Sequence, residues 1–174
     1  RRRDGTTRRR DLLGPGVRLE PSMLRVQSPL NGREEEVVSL AMDCAFAVHR
    51  ELGPGFKERI YEEAYCLELN TRGIGFAREQ KIQVRYKTWS IPGQRIDLVV
   101  EGLVIVEIKA VSKLAKVHER QVRSYLKTMG LRAGLLVNFN VAMVKNGIRR
   151  VVYTWHPPIV AAHVKPRKSG PTKF

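Results

Sequence analysis

The chain has 174 residues and a formal net charge of +15, which suits one domain with tails and favours polyanionic partners, nucleic acid above all. No apolar run approaches the roughly 18 to 20 residues that cross a bilayer, so no membrane partner is expected. Cys44 and Cys66 sit in apolar helical contexts that suit packed free thiols better than a disulfide, and predict a cytoplasmic protein.

The basicity is concentrated at the ends. Residues 1 to 33 hold nine Arg against Asp4, Asp11 and Glu20, and residues 157 to 174 hold Lys165, Arg167, Lys168 and Lys173 with no acid. Residues 1 to 34 show no sustained apolar period and predict a disordered basic tail; 157 to 174 read as a second basic tail, which leaves 35 to 156 as the folded domain. Arg8-Arg9-Arg10 faintly resembles a twin-arginine export signal, but Gly14-Pro15-Gly16 stands where an apolar stretch belongs, and export is rejected.

From Glu35 to Leu52 the apolar positions Val38, Ala41, Cys44, Ala45 and Val48 recur at three and four, predicting a helix that Gly53-Pro54-Gly55 stops. Glu34, Glu35 and Glu36 lie at its amino end, where the helix dipole favours acids. A second helix is expected from Lys57 to Thr71, with Ile60, Ala64 and Leu67 on one face. The period then becomes two, with Ile82, Val84 and Tyr86 alternating with Gln83 and Arg85 as in a half-exposed strand. Ile96 to Val100 and Val104 to Ile108 flank Glu101-Gly102 as a hairpin. Leu114 to Met129 returns to helical spacing, Leu135 to Phe139 reads as a buried strand and Gly147 to Trp155 as a last one. The order α, α, β, β, β, α, β, β predicts an α/β domain, a mixed central sheet flanked by helices on both sides.

One strand carries charges that a core strand does not need. Val104-Ile105-Val106-Glu107-Ile108-Lys109-Ala110 is apolar except for a carboxylate and an ammonium two residues apart, and burying an unpaired ion costs several kcal/mol. Alternation sends Glu107 and Lys109 to one side of the sheet and Ile108 to the other. Asp97 shares their face if the hairpin loop has an odd number of residues; a three-residue loop 101 to 103 sets Asp97 opposite Glu107, and Gly102 tolerates the bulge or turn this needs. Two carboxylates near a backbone carbonyl make a hard-oxygen site suited to Mg²⁺. A lysine beside the metal can orient an attacking water and offset charge developing on a phosphodiester.

Asp97 followed by Glu107-Ile108-Lys109 resembles the D…(D/E)xK signature of the PD-(D/E)xK nuclease superfamily, whose restriction-endonuclease-like core has this α/β order. Gly55-Phe56-Lys57-Glu58-Arg59-Ile60-Tyr61 resembles GxxExxY, the motif of the GxxExxY family within it, and the likeness runs from about residue 37 to 152. The resemblance implies a metal held by Asp97 and Glu107, a catalytic Lys109, and Glu58 supporting the metal or its water. Gln121 and Tyr125 match a QxxxY pattern that lies near the site in some exonuclease-like branches, with His118 on the same helix face, so these three are candidate substrate-binding residues. Ile96 departs from the superfamily pattern, which has Pro there. The implied activity is phosphodiester hydrolysis with Mg²⁺ or Mn²⁺ and DNA as partner; the alternative is a noncatalytic nucleic-acid-binding or regulatory module that keeps the fold.

Other polar and aromatic residues read more plainly. Tyr61 is expected to pack or bond the backbone; Trp89 and Trp155 could stack on bases, but isolated tryptophans are more often core, and both are expected to be partly buried there. His49, His118, His156 and His163 show no zinc-ligand spacing with each other or with the cysteines.

Overall fold

A computed structural model describes residues 28–154; the segments 1 to 27 and 155 to 174, with Trp155, His156, His163 and the end of the expected last strand, lie outside the described residues. Helix α1 (Gly32–Leu52) begins three residues before the apolar period does, because Asn31 caps it. The Asn31 carboxamide oxygen accepts the Glu34 amide at 2.9 Å, and the Glu34 carboxylate accepts the Asn31 amide at 2.8 Å, a reciprocal box that satisfies two otherwise unpaired donors. Its expected stripe, Val38 to Val48, is buried throughout.

Helix α2 (Glu58–Thr71) buries a different face from the one its aliphatic residues suggest. Tyr61, Tyr65, Cys66 and Leu69 turn inward, while Ile60 and Leu67 are exposed. A tyrosine can go inside when its hydroxyl finds a partner, and both do. Tyr65 donates to the Ala41 carbonyl at 2.5 Å; Tyr61 donates to the Gly53 carbonyl at 2.7 Å and accepts the Phe56 amide at 3.1 Å.

The remaining elements are β1 (Phe76–Tyr86), β2 (Trp89–Val100), β3 (Val104–Lys109), α3 (Lys116–Met129), β4 (Ala133–Asn138), the short α4 (Val144–Gly147) and β5 (Ile148–Val152). They form one five-stranded sheet in the order β1-β2-β3-β4-β5. Every neighbouring pair is antiparallel except β3 and β4, which are parallel and joined through α3. The mixed sheet is as expected; α4 and the length of the β1–β2 ribbon are not. Pro92-Gly93 interrupts the strand pattern, yet β2 continues through it by a register shift opposite Ile82/Gln83, with Gly93 at a φ of 121°.

Helices α1 and α2 cover one face of the sheet, packing on Val104, Val106 and Ile108 of β3 and Leu135 and Val137 of β4. Helix α3 covers the other with Val122, Tyr125 and Leu126 against Ile105 and Leu136. Gly134 lets α3 come that close, since a Cβ there would stand 2.6 Å from Val122 Cγ1. Val104, Ile105, Val106 and Ile108 are all fully buried, and at roughly 1.5 to 3 kcal/mol per side chain they fix β3 firmly between the two layers.

Candidate active site

The site begins at the β2–β3 turn. Leu98 opposes Val106, Val99 opposes Ile105 and Val100 opposes Val104, so the loop is Glu101-Gly102-Leu103. Its length is odd, and Glu101 and Gly102 take left-handed φ values of 51° and 67°. The register would next set Asp97 against Glu107, but the ladder ends at Leu98 and Val106. In its place the Asp97 carboxylate reaches across and accepts the Ile108 amide at 2.9 Å. The β1 ladder likewise passes from Arg78/Leu98 to Gln80/Ile96 and skips Asp97. Asp97 therefore stands where β2 parts from both neighbours, with its side chain replacing the missing backbone bond.

Glu107 is 2% exposed, and its Oε1 lies 2.6 Å from Lys109 Nζ. Its Oε2 is buried and has no hydrogen-bond partner among the described residues. Burial, joined by the charge of Asp97, pushes the Glu107 carboxyl up to about 7 despite the lysine. Asp97 is also raised by burial, against the Ile108 amide that favours its charged form. Burial works to lower Lys109, but its hydrogen bond to Glu107 and the nearby carboxylates outweigh this and hold the ammonium above its ordinary value.

A buried, unpartnered carboxylate oxygen beside a second raised carboxyl suits a hard cation that keeps several waters, the way Mg²⁺ commonly binds through one or two carboxylates. Among the described residues no three His, Cys, Asp or Glu side chains converge as a metal cage. The donor set thus fits a cation on two carboxylates, with water completing its shell.

Glu58 is the first residue of α2; its Oε1 stands 3.9 Å from Lys109 Nζ, and its side chain is half in water. Its place follows from the residues around it. Gly55 takes a φ of 108°, which disfavours any side chain, and the Tyr61 hydroxyl clasps both ends of the turn through Gly53 and Phe56. Tyr61 also stacks on Phe139, with ring centroids 4.7 Å apart. The Gly55-x-x-Glu58-x-x-Tyr61 spacing is a turn, a helix start and its clamp, and the expectation that Tyr61 packs and bonds the backbone is correct.

On α3, Gln121 Nε2 donates to the Tyr125 hydroxyl at 2.7 Å. Burial raises the Tyr125 phenol, and Glu107 and Asp97 are close enough for their charges to add to the effect. Tyr125 therefore lies within electrostatic reach of the carboxylates, with Gln121 bonded to it. His118 serves its own helix, since its Nδ1 accepts the Ala115 amide at 3.2 Å and caps α3.

Sequence reasoning overlooked Asn138, which is 1% exposed and lies beside Lys109 in the β3–β4 register. Its carboxamide donates to the Val111 carbonyl at 2.7 Å and accepts the Val111 amide at 3.0 Å, pinning the chain as it leaves the site. The signal was available: an amide side chain inside Leu135-Leu136-Val137-Asn138-Phe139 is as anomalous as the charges of β3.

A family model described as the PD-(D/E)XK nuclease superfamily matches residues 35–151. No curated protein and no solved structure gave a match to the chain.

Proposed function

The chain belongs to the PD-(D/E)XK nuclease superfamily, and we propose that it is a metal-dependent nuclease of the GxxExxY group, hydrolysing phosphodiester bonds of DNA. One observation carries the reading: the orphaned Glu107 Oε2, buried beside the raised Asp97 carboxyl and tied to Lys109 at 2.6 Å through its sister oxygen. In this reading Asp97 and Glu107 would hold Mg²⁺ or Mn²⁺, with Glu58 supporting the metal or its water. When bound, such a cation supplies Lewis acidity toward a phosphate oxygen and an acidified water. Glu107 must give up its proton first, so cation uptake strengthens as pH rises through about 7. Lys109 positions the attacking water and offsets charge on the phosphate. Gln121, Tyr125 and His118 border the substrate, and Arg and Lys of residues 1 to 34 and 157 to 174 add salt-sensitive phosphate contacts to the domain at 35 to 156.

Among the described residues no helix is long and apolar enough to cross a membrane, and Cys44 and Cys66 are buried free thiols, which supports placing the protein in the cytoplasm. Supercoiled and linear DNA incubated with Mg²⁺ or Mn²⁺, then with chelator, tests the activity. Metal-dependent cutting is expected, and loss of it in Asp97→Ala and Lys109→Ala; cutting unchanged in both variants would sink the assignment. The lack of a third converging carboxylate among the described residues favours one other reading, a noncatalytic nucleic-acid-binding module. Calorimetry with Mn²⁺ separates them, since that module need bind no metal.

A further inference from the structure

The outer half of the β1–β2 ribbon, residues 83 to 95, is exposed without exception. Its two faces differ. Val84 opposes Ile91 and Tyr86 opposes Trp89 across the ribbon, and opposed residues share a face, so four apolar side chains line one side of an arm in water. Trp89, expected in the core, is 70% exposed, and Tyr86 is 58% exposed. Sequence 80 to 96 also holds Lys81, Arg85, Lys87 and Arg95 and no acid. Arg95 is taken at the base of the arm by Glu79 at 2.9 Å, while Lys87 Nζ stands 5.5 Å from the Tyr86 ring centroid. Charge on an edge strand discourages strand pairing, but that leaves the apolar face without a reason.

A groove of about 480 Å³ separates the arm from α3, lined by Gln83, Val84, Arg85 and Gln94 on one side and Ser124, Lys127 and Thr128 on the other. It has cations and neutral hydrogen-bonding groups along its walls. Thr128, Ser124 and Gln121 follow one another at helical spacing along one edge of α3. The last of them is bonded to Tyr125, which lies within electrostatic reach of the carboxylates. The groove wall and the Gln121–Tyr125 pair thus lie along the same edge of α3.

We propose that this arm and groove hold a single-stranded stretch of the DNA substrate, with unpaired bases stacked on Tyr86 and Trp89 and phosphates against Lys87 and Lys127. Aromatic rings among cations, without acids, are the arrangement that binds single strands regardless of sequence. Trp89 lies eight residues from Asp97 along β2, about 26 Å at strand rise. The substrate is then a DNA end or junction with an overhang, not a continuous duplex. The inference takes the substrate's identity from the nuclease reading but needs no catalysis to be tested.

The test is binding in chelator, read by anisotropy of a labelled oligothymidine and of a labelled blunt duplex of equal length. Tyr86→Ala and Trp89→Ala are each expected to weaken oligothymidine binding roughly 5- to 150-fold and to leave duplex binding within about twofold. Both residues are exposed, so melting temperatures should not move. In a Trp155→Phe background, oligothymidine should quench the Trp89 fluorescence. Unchanged oligothymidine binding in the double alanine variant overturns the inference even if the protein cuts DNA. Arm-dependent binding without any metal-dependent cutting sustains it while overturning the nuclease reading. A dimer in sedimentation that the alanine variants dissolve also overturns it, by assigning the apolar face to a second copy of the chain.

Discussion

Strand β3 has two faces that obey different rules. On the α1/α2 side Val104, Val106 and Ile108 pack in an apolar cluster and could be exchanged for other aliphatics of like volume. On the α3 side Ile105 is followed by Glu107 and Lys109, two ionisable groups held in a place where one carboxylate oxygen has no partner among the described residues. Six residues of one strand thus separate packing from chemistry by parity alone. The apolar face supplies the free energy that keeps the strand buried; the other face uses that rigidity to hold a carboxylate in an environment it would leave if free to do so.

The largest effect that breaks this contrast is chemical. Asp97→Asn keeps an acceptor for the Ile108 amide but removes the charge that a cation requires. In the proposed nuclease, DNA cutting should fall at least about 100-fold while the melting temperature stays nearly level. The opposite face should respond in the opposite way. Ile108→Ala removes a fully buried side chain and is expected to cost roughly 2 to 5 kcal/mol in urea unfolding, with cutting per folded molecule retained. If Ile108→Ala instead abolished cutting at full stability, the division of labour between the faces would be wrong.

A third change sharpens the comparison through pH. Glu107 titrates at about 7 in the folded protein against 4.5 ordinarily. Between those values the folded chain keeps a proton that the unfolded chain has released, so this contribution is present at low pH and lost as pH rises through about 7. In metal-free protein the loss amounts to about 3 kcal/mol. Glu107→Gln should flatten the profile, and Mn²⁺ at pH 8 should restore stability to the parent protein but not to the variant. A parent protein equally stable at pH 5 and pH 8 without metal would show that the carboxyl is not strained.

How much of this the sequence discloses depends on the kind of force involved. The two roles of β3 were legible because alternation is geometric, and parity reduced the meeting of Asp97 and Glu107 to whether the loop was odd. The loop of Glu101, Gly102 and Leu103 is. What escaped was governed by partners distant in sequence. The buried face of α2 could not be read from its aliphatic residues, because Tyr65 goes inside by bonding Ala41, 24 residues away. Asn138 is buried because Val111 gives it two bonds across 27 residues. The ribbon was underestimated for the opposite reason. Pro92-Gly93 ordinarily ends a strand, and only the shifted register opposite Ile82/Gln83 lets β2 pass through it. His118 also caps its helix through Nδ1, a bond that spacing does not reveal.

The smallest expected effect concerns Tyr61, which sits in the resemblance motif yet touches none of the charges. Its hydroxyl bonds Gly53 and Phe56, both on a turn that water reaches, so Tyr61→Phe should cost only about 1 kcal/mol, the ring remaining stacked on Phe139. Glu58 begins its helix three residues earlier and lies 3.9 Å from Lys109, so loosening the turn would let the carboxylate drift from the lysine. Denaturant midpoint and cutting rate together separate the two roles. A small stability loss with an unchanged rate would make Tyr61 a clamp of the fold alone. A rate loss that Glu58→Gln does not deepen would show that Tyr61 acts on the site by placing Glu58.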